Sequence, residues 1–262
     1  MSHYDEPVQR WMRSPVRTIR EDSSLSDADH ILREHTLSSL AVIDDAGRPL
    51  GVISRTDLLR VGRAKSAFGR RAPLLELPAQ PVSSVMTRGM LSVAPDASLA
   101  DAATIMVSQH VHRVFVVQGA QLAGVLSTRD LMDAVAAHKE KAPISDFMST
   151  PVISVSSIET VGRATDRLED AKVAGVLVTD EREWPVGLFT QVEALQAREL
   201  PASTPVEDVM NYALLCMDLE TQLHRAARHA IETRARRIVA VHDRRVCGVL
   251  TGIDFARIAS RR

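Results

Sequence analysis

Gly124-Val125-Leu126-Ser127-Thr128-Arg129-Asp130 is one of four copies of a single pattern. The others are Gly51-Val52-Ile53-Ser54-Arg55-Thr56-Asp57, Gly187-Leu188-Phe189-Thr190-Gln191-Val192-Glu193 and Gly248-Val249-Leu250-Thr251-Gly252-Ile253-Asp254. In each, apolar residues lead to a hydroxyl residue, with an acid three places later. That is a strand running into a helix whose start is capped. A second string tracks the first: Val8-Gln9-Arg10-Trp11-Met12, Val82-Ser83-Ser84-Val85-Met86, Ile144-Ser145-Asp146-Phe147-Met148 and Val206-Glu207-Asp208-Val209-Met210. Met86, Met148 and Met210 are evenly spaced, 62 residues apart. Two unrelated strings in register, four times over, make the chain a fourfold repeat.

The unit reads outward from these strings. The Met string predicts a short helical turn. A short extended piece follows, holding Thr18, Ser92, Ser154 or Cys216. These four are equivalent, because each lies seven residues before an apolar helix position, Leu25, Leu99, Val161 or Leu223. An amphipathic helix comes next. In the second repeat Leu99, Ala102, Ala103, Ile105 and Met106 share a stripe, and Ser98 with Asp101 can cap its start. Two strands joined by Asp- or Gly-containing turns then read as a hairpin, with Trp184 in the third. A helix from the Ser/Thr-x-x-acid string closes the unit. The predicted order is strand, helix, strand, strand, helix, a mixed α/β fold. The first connection is irregular: Met12 to Met86 spans 74 residues, and it carries Arg60, Arg63, Lys65, Arg70 and Arg71. These read as a solvated linker or a segment that touches phosphate or a partner.

Composition narrows the function classes. The chain has 262 residues, 45% apolar and 25% charged, with a formal net charge of −1 and 3% aromatics. That gives no basic face for nucleic acid and few rings for base stacking. No apolar run approaches a membrane span, and residues 1–7 lack the pattern of a signal peptide. Cys216 and Cys247 cannot build a disulfide framework. The expectation is a soluble, cytoplasmic protein that binds neither nucleic acid nor membrane.

The unit resembles the CBS domain, the cystathionine-β-synthase-type repeat, over about residues 8–260. The resemblance implies repeats working in pairs. Repeats at about 8–65 and 82–137 would form one tandem module, residues 8–137. Repeats at 144–199 and 206–260 would form a second, residues 144–260. The two modules would make a self-contained disc, or the chain a homodimer. It also implies an adenosyl ligand (AMP, ADP, ATP or S-adenosylmethionine) in clefts between paired repeats, and a regulated protein partner that senses occupancy.

The candidate ligand residues follow from what a nucleotide needs. Ser54, Ser127 and Thr251 place a hydroxyl at a helix N-terminus, where the dipole favours an anion. In the family the acid three residues on accepts the ribose hydroxyls, which singles out Asp57, Asp130 and Asp254. The third repeat carries Glu193 there, so its site is expected to be weak or empty. Without a ligand the same string is simply a capping box. Eleven residues before the marker glycine stand Arg113 and Arg237, preceded by His112 and Arg236; the odd repeats hold Ser39 and Gly175 at the equivalent places. The family often sets a phosphate-binding cation there. Thr18 and Ser92 lie on the strand that lines the base pocket in the family. No metal-ligand spacing, Walker string or nucleophile elbow occurs, so no catalysis is expected. The reading is a regulatory sensor of an adenine nucleotide or S-adenosylmethionine. Its rival is a ligand-free scaffold for protein–protein interaction.

Overall fold

The computed structural model describes residues 4–63 and 74–261. Lys65, Arg70 and Arg71 of the basic connection lie outside them.

All four repeats have the expected order, repeat 2 with one additional short strand at its start. Repeat 1 has a helical turn Val8–Arg10, then β1 (Thr18–Arg20), α1 (Leu25–Glu34), β2 (Ser39–Ile43), β3 (Pro49–Ser54) and α2 (Arg55–Arg63). Repeat 2 has a turn Val82–Ser84, β4 (Thr87–Arg88), β5 (Ser92–Val93), α3 (Leu99–Ser108), β6 (Arg113–Gln118), β7 (Gln121–Ser127) and α4 (Thr128–Ala137). Repeat 3 has a turn Ile144–Asp146, β8 (Ser154–Ser156), α5 (Val161–Asp170), β9 (Gly175–Thr179), β10 (Pro185–Thr190) and α6 (Gln191–Gln196). Repeat 4 has a turn Val206–Asp208, β11 (Cys216–Asp218), α7 (Leu223–Glu232), β12 (Arg237–His242), β13 (Arg245–Thr251) and α8 (Gly252–Ala259).

Within each repeat the strand before the connecting helix (β1, β5, β8 or β11) runs parallel to the strand after it, which forms an antiparallel hairpin with the next. The connecting helix starts at Ser24, Ser98 or Thr160 in the first three repeats, each side chain accepting from a backbone N–H three residues on. The Ser98–Asp101 cap is thus as the sequence suggests.

The two strings meet physically. The segment after each Met string crosses to the third strand of the neighbouring repeat: Arg13 bridges Val125, Ser149 bridges Val249 and Asn211 bridges Leu188, while β4 pairs with β3. Each Met side chain in the first, third and fourth strings packs on the marker glycine of that strand: Met12 on Gly124, Met148 on Gly248 and Met210 on Gly187. At Gly51 the place of a Cβ is taken by the Thr87 carbonyl. The strings are locked together because only glycine leaves room for what the neighbour's leading segment brings.

The chain divides into two compact units that interleave the repeats. One holds Met1–Val16, Met90–Val152 and Leu214–Arg262, and the other Arg17–Gly89 and Ile153–Ala213. The first unit combines the bodies of repeats 2 and 4. Its α4 packs on α7 and α8, and α3 packs on α8. Leu99, Met106, Val114, Val116, Leu126, Leu131, Ile238, Leu250 and Phe255 share its core. The second unit combines repeats 1 and 3, with α2 on α6 and a core that includes Leu25, Leu32, Ile53, Leu58, Val178 and Phe189. A buried ion pair adds to it. Asp29 on α1 accepts from Arg198 at 2.6 Å and from Arg33 at 3.1 Å. The backbone around Arg198 also receives the chain after the first connection, through Leu75 N–H to the Arg198 carbonyl at 3.1 Å.

Candidate functional site

Strand register places the predicted residues on one sheet face. Ser92 lies opposite Phe115, Phe115 opposite Val125, and Val125 opposite Arg13. Residues directly across a ladder share a face, as do residues two apart along a strand. Arg113 and Ser127, themselves directly opposite one another, therefore join Ser92, Phe115, Val125 and Arg13. Repeat 4 builds the same wall from Cys216, Val239, Val249, Ser149, Arg237 and Thr251. Repeat 1 builds it from Thr18, Ala41, Val52, Thr87, Ser39 and Ser54. The alternate residues Val114, Val116 and Leu126 turn the other way, into the helix-covered core. The alternation in sequence is thus a difference in walls: Arg113 and Arg237 stand opposite the capping hydroxyls of the even repeats, Ser39 and Gly175 opposite those of the odd ones.

Each acid of the Ser/Thr-x-x-acid string is buried and closes a capping box. Asp130 Oδ2 accepts from the Ser127 N–H at 2.8 Å and its hydroxyl at 2.7 Å. Asp254 Oδ2 accepts from Thr251 at 2.7 and 2.8 Å, and Asp57 Oδ2 from Ser54 at 2.9 and 2.6 Å. Glu193 does the same with both Thr190 donors. The longer Glu side chain caps as well as the aspartates do. The Ser127 hydroxyl, expected to face an anion, is directed to the carboxylate instead.

The second oxygen of each aspartate meets a cation. Arg60 donates to Asp57 Oδ1 at 2.9 Å. Arg257 donates to Asp254 Oδ1 at 2.6 Å, and the Ser149 hydroxyl donates to it at 3.0 Å. For Asp130 the donor is Arg13, at 2.7 Å. Arg13, Ser149 and Arg257 were not singled out in the sequence, and Arg60 was read only as part of the basic connection between repeats 1 and 2. The available signal was position: Arg13 and Ser149 each directly follow a Met string.

The structure gathers residues that the sequence assigned to separate sites. His112 and Arg113 of repeat 2 lie within electrostatic reach of Arg236 and Arg237 of repeat 4, inside one compact unit. Burial holds the His112 imidazole below its ordinary pKa; the charges of Arg237, Arg113 and Arg236 push the same way, opposed by Asp254. The helix starts above these residues converge too. A Cβ on Gly252 would lie 2.9 Å from the Thr128 Cβ, so the N-termini of α8 and α4 approach closely. The Thr128 N–H donates to the His112 carbonyl at 3.0 Å. Two helix starts and four basic side chains make an environment suited to negative charge.

Three copies of the CBS domain match the chain, at residues 8–63, 82–137 and 144–199. The protein belongs to the CBS-domain family. Repeat 4 lies outside the matched residues but has the same elements in the same order. CBS-domain proteins are generally regulatory rather than catalytic, and some relatives belong to enzyme-linked families. The chain is 32% identical over 147 residues to protein MJ1404 of Methanocaldococcus jannaschii, covering 53% of this chain and 34% of that one. It is 31% identical over 119 residues to the arabinose 5-phosphate isomerase KdsD of Yersinia pestis, covering 45% of this chain and 34% of the isomerase. The chain therefore spans about a third of the length of these relatives. The crystal structure of protein MJ1225 from Methanocaldococcus jannaschii has the same fold, with a TM-score of 0.82 at 16% identity over 96% of this chain and 99% of that one. An uncharacterized conserved protein from Pyrococcus horikoshii gives 0.68 at 17% identity, over 97% and 99%. Among the described residues, no helix is long and apolar enough to cross a membrane, and no cluster of His, Cys, Asp or Glu has a metal-binding arrangement.

Proposed function

We propose that this CBS protein senses an adenine nucleotide or S-adenosylmethionine and passes its occupancy to a protein partner. The even repeats carry the ligand. The observation that supports this most is the register that sets Arg113 opposite Ser127 and Arg237 opposite Thr251, each beside a buried aspartate. Such a wall offers a carboxylate for ribose, a guanidinium for phosphate and small or apolar side chains for a base. Arg113 and Arg237 suit phosphate because the planar fork can donate twice. Ser92 takes the base-side position in repeat 2. The plain walls of repeats 1 and 3, with Thr18, Ser54 and Asp57 in the first, hold phosphate less well.

Exchange of leading segments between repeats 1 and 2, and between 3 and 4, supports tandem modules at residues 8–137 and 144–260. A homodimer or a self-contained disc, acting in the cytoplasm, completes this reading. Ligand binding can act on a partner only through differential affinity for two states of the protein.

A second reading, a ligand-free interaction scaffold, is favoured by one observation: every acid of the string already caps its own helix. Comparing adenosine with AMP decides between them. If the guanidiniums clasp phosphate, Arg113→Ala and Arg237→Ala weaken AMP binding at least tenfold more than adenosine, about 1.4 kcal/mol or more. An unchanged ratio removes the phosphate wall. No binding of either compound leaves the scaffold.

A further inference from the structure

An ionised carboxylate offers about four lone-pair sites to donors. At Asp130 at least three are occupied: the Ser127 N–H and hydroxyl take Oδ2, and Arg13 Nε takes Oδ1 at 2.7 Å. A ribose presents two neighbouring hydroxyls and needs two acceptors. The cap contacts hold the start of α4, so the contact that can give way is Arg13, whose side chain is 64% exposed.

Arg13 differs from the other cations of this kind. Arg60 and Arg257 sit one turn along the same helix as the aspartate they contact. In repeat 2 that place holds Asp133, and the guanidinium arrives from another segment. It is fixed there by two ladder hydrogen bonds, Arg13 N–H to the Val125 carbonyl at 2.9 Å and Val125 N–H to the Arg13 carbonyl at 3.0 Å. Arg13 Nη2 also donates to Asp133 Oδ2 at 3.3 Å. Burial, together with the charge of Asp130, raises the pKa of Asp133, while Arg13 opposes that rise.

We infer that Arg13 sets the ribose affinity of repeat 2 by competing for Asp130 Oδ1. The ribose binds as the guanidinium leaves, and Asp133 then retains Arg13 nearby. Selectivity of repeat 2 thus depends on a residue contributed by the leading segment of repeat 1. The inference rests on the adenosyl-ligand reading of repeat 2.

The test is calorimetric titration of adenosine into the full chain and its variants. Adenosine is uncharged, so salt affects its binding mainly through the protein's own ion pairs. Arg13→Ala is expected to tighten adenosine about three- to tenfold, the range for a partly exposed charged contact. Arg13→Lys keeps a charge on Asp130 and stays near the wild type. The gain disappears in Arg13→Ala combined with Asp130→Asn. In the wild type, adenosine binds more tightly at high than at low sodium chloride, and Arg13→Ala loses that dependence. If Arg13→Ala fails to fold, the salt dependence of the wild type alone decides. Adenosine binding that is unchanged or weakened in Arg13→Ala, or independent of salt in the wild type, overturns the role of Arg13 and leaves the adenosyl reading standing. Absence of adenosine binding in every variant overturns both.

Discussion

The sulfur of Met148 occupies the space that a side chain on Gly248 would need: a Cβ there would lie 2.5 Å from Met148 Sδ, 2.8 Å from its Cγ and 3.1 Å from its Cβ. These residues belong to different repeats and to the two strings that reveal the repeat. Their contact explains why the strings travel together. At Gly124, Gly187 and Gly248 the methionine of one repeat is the lid for the marker glycine of its neighbour.

Gly248→Ala should therefore destabilise the chain. The flexible sulfur can move, but the Met148 Cβ is held by its backbone. Overpacking of this kind costs about 1–3 kcal/mol, measurable as a lower denaturant midpoint with unchanged slope. Adding Met148→Ala should recover part of that loss, giving a double-mutant coupling outside additivity. Additive losses would show that the two side chains do not share the space.

Arg198→Ala should destabilise the unit that holds repeats 1 and 3. Asp29 is 1% exposed and keeps only Arg33 when Arg198 is removed. Breaking a buried pair at one partner costs about 3 kcal/mol. Replacing both, as Asp29→Ala with Arg198→Met, should cost less than Arg198→Ala alone, because no buried charge is left behind. Equal losses would mean that the ion pair matters only through its packing.

Stability should also fall with acid through His112. Its folded pKa lies below the unfolded value, so the unfolded chain binds more protons once the pH drops below about 6.5. The contribution is fully present above that pH and is lost as the pH falls toward the depressed folded value. His112→Asn should flatten this part of the stability profile relative to wild type. Identical profiles between pH 7.5 and 5.5 would remove His112 from the basic cluster with Arg113, Arg236 and Arg237.

Much of this organisation is legible in the sequence because it is local. A capping box needs three residues, a hairpin about a dozen, and both recur at fixed spacing. The equivalence of Thr18, Ser92, Ser154 and Cys216 emerges intact, each opening the strand that precedes the connecting helix of its repeat. What the sequence could not show is which repeats share a core. Translation along the chain is silent about how copies are arranged in space, and Arg113 and Arg237, read as belonging to separate sites, lie in one unit. The Arg13–Asp130 contact joins residues 117 apart and Arg198–Asp29 joins residues 169 apart. Asp29 was unmarked for a further reason: its counterparts Ala103, Thr165 and Ala227 carry no charge, so the repeat pattern hides it. Glu193 teaches the converse. Its departure from aspartate is plain in the sequence, yet it caps α6 through the same donors.

The central claim, that the even repeats bind an adenosyl ligand, is tested most directly by calorimetric titration of AMP into the full chain, with Asp130→Ala and Asp254→Ala beside it. Binding in the micromolar range is expected, about −8 kcal/mol, weakened by each substitution by about 1.5–3 kcal/mol and little changed by Glu193→Ala. No heat of binding with AMP at millimolar concentration, or equal losses from all three substitutions, would contradict the account.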